Sequence, residues 1–157
     1  MKMRIVALAA FWGVAAGAAW ADEPAYRDDR SDAAALVGSL YNAIDRQEYA
    51  RAWDYFDPAP AASYEAFAAG YAGTAEVALR VGEVTSDGAS GSVYYQVPVA
   101  IRAVDQAGAA QVFTGCYVVV QVDPAIQEPP FRPMRIRSGK LAPAAGAFEA
   151  ATPGPCG

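Results

Sequence analysis

The chain has 157 residues, with 12 basic and 17 acidic side chains and no histidine, which gives a formal net charge of −5. The lack of histidine excludes Ser-His-Asp and Cys-His nucleophile systems and any zinc site built on histidine. The excess of acidic residues disfavours nucleic acid as a partner, because binding to phosphates depends on Lys and Arg.

The first residues have the three parts of an export signal. Two cations stand within the first four positions, residues 5–19 carry no charge, and Ala19-Trp20-Ala21 places small residues at the cleavage positions. We therefore expect residues 1–21 to be removed as a signal peptide and the protein, beginning at Asp22, to be periplasmic or secreted. An uncleaved membrane anchor is the alternative, but the apolar run is shorter than the ~20 residues of a spanning helix. No membrane span is expected after processing.

The chain then divides into a leader, a domain and a tail. Residues 22–30 are charged and include Pro24, which predicts a flexible leader. A single folded domain is expected over residues 31–141. Residues 142–157 are rich in Ala, Pro and Gly and predict an irregular tail.

Apolar residues at the three-and-four spacing predict three short amphipathic helices in the first half of the domain. Ser31 or Asp32 can cap the first helix and Ser63 the third, while Pro58 ends the second. The predicted helices cover residues 32–47, 49–57 and 63–73.

From Glu76 the pattern changes to the alternation of strands, and β-branched and aromatic residues become frequent. Residues 105–108 are expected to join two long strands in a tight hairpin. Pro98 cannot donate a hydrogen bond inside its strand, so we expect a β-bulge there. Helices followed by antiparallel strands predict an α+β fold with the N-terminal helices packed on a curved sheet. The predicted strands cover residues 77–84, 92–104, 111–122 and 131–141.

Three segments carry a family resemblance. They are Gln47-Glu48-Tyr49-Ala50-Arg51-Ala52-Trp53 at the second helix, the third helix from Tyr64 to Gly73, and Gly115-Cys116-Tyr117 in the third strand. Over about residues 31–141 the chain resembles the cystatin-like cone of the nuclear transport factor 2-like superfamily, which includes SnoaL-like cyclases and ketosteroid isomerase. The resemblance implies a curved sheet closed by helices. It does not imply an activity, because this fold serves enzymes, binding proteins and partner-docking modules.

Acid–base chemistry in this chain would have to use carboxylates and tyrosines. In ketosteroid isomerase-like members the base is an Asp on a strand, whereas Asp45, Asp54 and Asp57 lie on predicted helices or at their ends. We interpret these three as solvated surface, because Asp is seldom buried without a partner. No catalytic residue, metal ligand or cofactor is therefore assigned.

Five aromatic residues are expected to meet between the helices and the sheet, as the walls of a ligand pocket or as plain core. We predict an exported, non-catalytic domain that binds a small apolar ligand, or an envelope protein, through the mouth of the cone. A cofactor-independent isomerase, dehydratase or cyclase using Tyr and Asp is one alternative, and a structural module of the cell envelope is another. A homodimer through the sheet is left open. The five candidates are Trp53, Phe67, Tyr71, Tyr95 and Tyr117.

Two further groups of residues stand out. Cys116 and Cys156 are the only cysteines, and in an oxidising compartment we expect them to pair and to hold the tail on the third strand. A late group of cations predicts either an anion or partner site or a solvated strand face, and we favour the solvated face. Its members are Arg132, Arg135, Arg137 and Lys140.

Overall fold

The computed structural model of the protein describes residues 23–157, so the predicted signal peptide and the start at Asp22 lie outside the described residues. Three α-helices precede a five-stranded antiparallel sheet, and two short 3-10 helices follow β4 and β5. No helix within residues 23–157 is both long enough and apolar enough to cross a membrane. The elements are α1 (Ala33–Asp45), α2 (Tyr49–Asp54), α3 (Tyr64–Tyr71), β1 (Thr74–Val81), β2 (Thr85–Ala89), β3 (Ser92–Asp105), β4 (Ala110–Val122) and β5 (Arg135–Ala144).

The helices begin where their capping residues predict. The Asp32 side chain accepts a hydrogen bond from the backbone N–H of Ala35, and Ser63 does the same for Ala66. These caps satisfy backbone donors that the first turn of a helix leaves without a partner. α1 ends at Asp45, slightly before the predicted end, because Gln47 turns the chain with a φ of 57°.

The sheet order is β1-β3-β4-β5, and β2 pairs with β3 as well. β3 and β4 stay in one register from Ser92 opposite Val122 to Val104 opposite Ala110, which confirms the predicted hairpin. Arg137 marks an irregularity on β5, because Val118 pairs with Ser138 while its neighbour Val119 pairs with Ile136. The predicted α+β architecture, with helices on one face of the sheet, is confirmed.

The bulge predicted at Pro98 is wrong, since β3 pairs with β4 through this residue without a shift. The irregularity lies in the neighbouring strand. Val81 pairs with Val99 and Thr85 pairs with Gln96, so four residue steps on this side lie opposite three on β3. The segment that joins β1 to β2 therefore contains one extra residue. Pro98 therefore stands beside the break between β1 and β2, where its missing N–H leaves no ladder hydrogen bond unmade.

The core lies between α1 and the concave face of the sheet. Each large aliphatic side chain buried there contributes about 1.5–3 kcal/mol relative to an exposed one. Its most deeply buried aliphatic residues are Leu36, Val37, Leu40, Ile44, Val97, Val99, Val119 and Ile136.

Residues 23–30, predicted as part of a flexible leader, run in extended form along α1 and α2. The N–H of Arg27 donates to Asn42 Oδ1 at 2.8 Å, and the N–H of Asp29 donates to Ser39 Oγ at 2.7 Å. Arg51 donates to the carbonyl of Arg27 at 2.7 Å. We call this assembly the N-terminal clasp, and it consists of residues 23–30 with Ser39, Asn42, Arg46, Glu48, Arg51 and Tyr55.

The predicted disulfide between Cys116 and Cys156 is confirmed, with the two Cα atoms 5.1 Å apart. The tail is more ordered than predicted, since β5 continues to Ala144 and a 3-10 helix covers Phe148–Ala150. Because Tyr117 is buried on the concave face and successive side chains of a strand alternate, Cys116 points to the convex face. The disulfide therefore holds the tail on the side of the sheet away from the helices.

Candidate functional site

A cavity of about 410 Å³ opens between α3, the segment after α2, and strands β4 and β5. A second cavity of about 200 Å³ adjoins it, with Tyr71 and Leu141 as common walls, and is also lined by Tyr41. The larger one lies within the range of about 300–1,000 Å³ that is usual for ligand pockets. Its principal walls are Phe56, Phe67, Tyr71, Tyr117, Arg137 and Leu141.

Phe67 is the centre of the aromatic wall. Its ring centroid lies 5.5 Å from that of Trp53, 6.1 Å from that of Phe56 and 5.1 Å from that of Tyr71, each pair in an edge-to-face arrangement. Phe67 and Tyr71 are four residues apart on α3, so the helix presents both on one side. Such edge-to-face contacts favour one defined arrangement of the rings over many loose ones.

Two tyrosines meet in the interior where helix and sheet face each other. The hydroxyls of Tyr41 on α1 and Tyr117 on β4 are 2.7 Å apart, with the rings in edge contact. Burial raises the pKa of both, so both are neutral at physiological pH. One hydroxyl proton joins the pair, and within residues 23–157 the other has no acceptor.

Gly139 makes room for the ring of Tyr117. The two residues are opposite each other on β5 and β4, and a Cβ at position 139 would overlap the tyrosine ring. The ring of Tyr117 therefore packs over Gly139, where there is no side chain. Both residues line the larger cavity.

The late cations divide into two kinds. Arg132 forms an ion pair with Asp57, and Arg135 forms one with Asp54, both at 3.2 Å. Arg137 makes no ion pair or hydrogen bond within residues 23–157, and it lines the larger cavity. Arg137 is the extra residue that the β5 irregularity places between Ile136 and Ser138. The rule that residues two apart on a strand share a face therefore does not apply to Arg135 and Arg137.

The structure brings three of the five predicted pocket residues, Phe67, Tyr71 and Tyr117, to the wall of the larger cavity. Trp53 stands behind Phe67 and does not line it. Tyr95 also packs against the core but lies outside this wall, since it is two strand positions, or about 7 Å, from the residue opposite Tyr117. Its hydroxyl donates to Gln121 Oε1 at 3.3 Å.

The sequence analysis did not single out Tyr41, Arg137 or Leu141 as pocket residues. Tyr41 could have been recognised, because it lies on the apolar side of the predicted first helix and its side chain ends in a polar hydroxyl. Arg137 was one of four cations with nothing to distinguish it from the others. Leu141 stood at the end of a predicted strand.

The carboxylates lie elsewhere. Asp45 accepts a hydrogen bond from the N–H of Val77 at 2.8 Å, and Asp57 pairs with Arg132. Partial burial opposes ionisation of Asp54, but its ion pairs with Arg30 and Arg135 lower its pKa overall. Among residues 23–157, no acidic side chain lines either cavity.

One hydroxyl–carboxylate pair does occur in the described part of the chain, where Tyr55 donates to Asp28 at 2.9 Å. It belongs to the clasp and not to the cone. Residues 23–157 also contain no group of three or more acidic or cysteine residues placed to hold a metal ion.

No protein-family model matches the chain, and no curated protein matches it significantly. Among solved structures it is similar to a candidate aromatic ring hydroxylase from Novosphingobium aromaticivorans, with a TM-score of 0.51 and 14% identity over 69% of this chain and 88% of that one. It is also similar to a candidate dehydratase of the NTF2-like family from Streptomyces avermitilis, with a TM-score of 0.47 and 12% identity over 71% and 93%. The three helices on an antiparallel sheet are the architecture that the predicted nuclear transport factor 2-like cone requires. At such low identity, likeness concerns the fold alone.

Proposed function

We propose that this protein is an exported, non-catalytic domain that binds a small, largely apolar ligand in its cone. The observation that carries the proposal is the cavity of about 410 Å³, which is walled by Phe56, Phe67, Tyr71 and Tyr117 and, in the described part of the chain, lined by no acidic residue. Pockets for small molecules are typically apolar clefts with a few polar groups that orient the ligand. The spare hydroxyl proton of the Tyr41–Tyr117 pair supplies such a group.

The lining of the two cavities favours binding over catalysis, because it contains no acidic base from residues 23–157. An isomerase or dehydratase of this fold needs a group that accepts a proton at the substrate. The acidic residues Asp45, Asp54 and Asp57 bind protein groups outside both cavities. Tyr41 and Tyr117 are held neutral by burial and can donate a hydrogen bond but not accept a proton readily.

An open cavity also argues against a purely structural module. A cone that serves only as a scaffold would be filled by its own side chains, because protein interiors are packed as densely as organic crystals. A partner protein could insert an apolar side chain at the same mouth. The spare donor beside the apolar walls favours a ligand that also carries an acceptor.

Export is supported by the disulfide between Cys116 and Cys156. Disulfides persist in oxidising compartments and are rare in the cytosol. Together with the predicted signal peptide over residues 1–21, this bond favours a periplasmic or secreted protein.

Intrinsic fluorescence offers a direct test. A chain that begins at Asp22 contains Trp53 as its single tryptophan, and Trp53 touches Phe67 on the cavity wall. A hydrophobic dye and a panel of small apolar compounds should change Trp53 fluorescence and raise the melting temperature, because a ligand that binds only the folded state stabilises it.

A cavity-filling variant and a matched control locate the binding site. Leu141 lines both cavities and is 37% exposed, so Leu141→Phe should abolish the response while the protein stays folded. Val81 is 36% exposed and lines neither cavity, so Val81→Phe should respond like the wild type. No response across the panel, or an equal response in both variants, would contradict the proposal.

A further inference from the structure

We infer that the ligand is an apolar carboxylate whose acidic head binds Arg137 at the mouth of the cone while its apolar body lies against the aromatic wall. This inference rests on the proposed function and specifies the ligand class of the same cavity. It concerns one residue, Arg137, that the fold brings to the edge of a cavity with aromatic side chains in its wall.

Arg137 is the only charged residue among those lining the larger cavity. Within residues 23–157 its guanidinium has no carboxylate or carbonyl partner, unlike the neighbouring Arg132 and Arg135. A guanidinium binds a carboxylate through two parallel hydrogen bonds, which fixes both position and orientation. The side chain is exposed and therefore able to receive an anion from solvent.

The charges around Arg137 leave a local positive surplus. Arg132, Arg135 and Arg137 together line a smaller cavity of about 210 Å³ beside the mouth. Asp57, the acidic residue on that cavity, is bound to Arg132, and Asp54 is bound to Arg135. The chain as a whole carries a net charge of −5, which disfavours anions at long range. An anion is therefore attracted only by a local cation, and among the described residues at the cavity that cation is the unpaired Arg137.

The buried interior and the exposed mouth of the cavity also determine the orientation of the ligand. A carboxylate placed deep beside Tyr41 and Tyr117 would lose its hydration without a cation to compensate, which is costly. At Arg137 the same group keeps contact with water and gains an ion pair. The apolar body then points inward, past Phe67 and Tyr71, and a neutral oxygen on it can accept the spare tyrosine proton.

Two matched pairs of probes test the inference. Octanoate with octanamide, and 2-naphthoate with 2-naphthamide, differ mainly in the charge of the head group. Calorimetric titration of the disulfide-bonded protein should show the carboxylate of at least one pair binding about 2- to 5-fold more tightly than its amide, the range for an ion pair that stays in contact with water.

Arg137→Gln should remove that preference and leave the affinity for the amide unchanged. Lys140→Gln is the matched control, because it changes the net charge equally, lies on the same strand opposite Cys116 and lines neither the larger nor the second cavity. It should keep the preference for the carboxylate. Circular dichroism would establish that both variants are folded.

Equal affinity for acid and amide, or an Arg137→Gln variant that still prefers the acid, would overturn the inference and leave the proposed function standing. Binding of neither pair by the wild type would also overturn it. In that case the dye and the wider panel with Leu141→Phe decide separately whether the cone binds any ligand.

Discussion

The two faces of α1 serve opposite purposes. One face, with Ser39 and Asn42, contacts the N-terminal clasp, where polar groups of the leader find partners in the chain itself. The other face, with Leu40 and Tyr41, contacts the sheet and the cavities. There the Tyr41–Tyr117 pair keeps a proton that has no acceptor among residues 23–157. A polar group without a partner beside a cavity is available to a ligand, whereas a saturated network of hydrogen bonds stabilises the fold.

Arg51 shows how completely the clasp is satisfied. It pairs with Glu48, donates to the hydroxyl of Tyr55 and to Asn42, and packs over the ring of Tyr26. Partial burial opposes ionisation of Glu48, but its ion pairs with arginines on both sides lower its pKa overall. Arg137 at the cavity has no such partner in the described part of the chain, although both residues are arginines on the surface of one small domain.

The largest effect we expect comes from the disulfide, which belongs neither to the N-terminal clasp nor to the cavity. Replacing Cys116 and Cys156 by Ala should lower the free energy of unfolding by about 3–4 kcal/mol, because the bond closes a loop with a sequence separation of 40. Affinity for an apolar ligand should not change, since Cys116 points away from the cone. Urea unfolding and ligand titration measure the two quantities. Loss of binding in the folded variant would show that the convex side controls the cavity.

The second effect tests whether the clasp is structural. Arg51→Ala should lower the free energy of unfolding by about 2–3 kcal/mol, because several part-buried acceptors lose their donor at once. Arg132→Ala is the control and should cost about 0–1 kcal/mol, because its pair with Asp57 is exposed. Equal costs for the two variants would remove the distinction between clasp and surface. Ligand affinity should be unchanged in both.

The smallest effect concerns the tyrosine pair and appears at alkaline pH. Burial raises the pKa of Tyr41 and Tyr117 above the ordinary value of 10.0, so the unfolded chain loses these protons at lower pH than the folded one. Their contribution to stability is thus full below pH 10 and falls as the pH rises. Between pH 10 and 11 each should cost about 1 kcal/mol.

Urea unfolding of the wild type and of the double variant Tyr41→Phe with Tyr117→Phe at pH 9, 10 and 11 measures this loss. The double variant should lose less stability over the same range, because phenylalanine does not ionise. An identical loss in both proteins would mean that the pair does not stay protonated in the folded state. The clasp tyrosine, Tyr55, is present in both and cancels from the comparison.

Much of the fold follows from periodicity. The three-residue and four-residue spacing of apolar side chains located α1, α2 and α3, and alternation placed Tyr117 on the same face of β4 as Phe113 and Val119. Phe67 and Tyr71 both line the larger cavity because a helix keeps residues four apart on one side. In each of these cases a local pattern decides which side of its own element a residue occupies.

The residue pattern of one segment does not show which other segment it will contact. β2 has a Ser, Asp and Gly composition that predicts a turn, yet it pairs because β3 offers an open edge beside Pro98. Residues 23–30 are too polar to build a core, but Arg51 and Asn42 supply hydrogen bonds that hold them on the helices.

By itself the sequence determined the α+β order of elements, the faces of the long strands and the pairing of its two cysteines, because these depend on local spacing and on composition. Only the tertiary structure decided that Tyr41 meets Tyr117 across 76 residues and that Arg137, unlike Arg132 and Arg135, lines the cavity without an ion pair to any of residues 23–157. The physical reason is that strand register and the irregularity on β5 arise from contacts between segments, and these contacts select which of several equivalent side chains reaches the site.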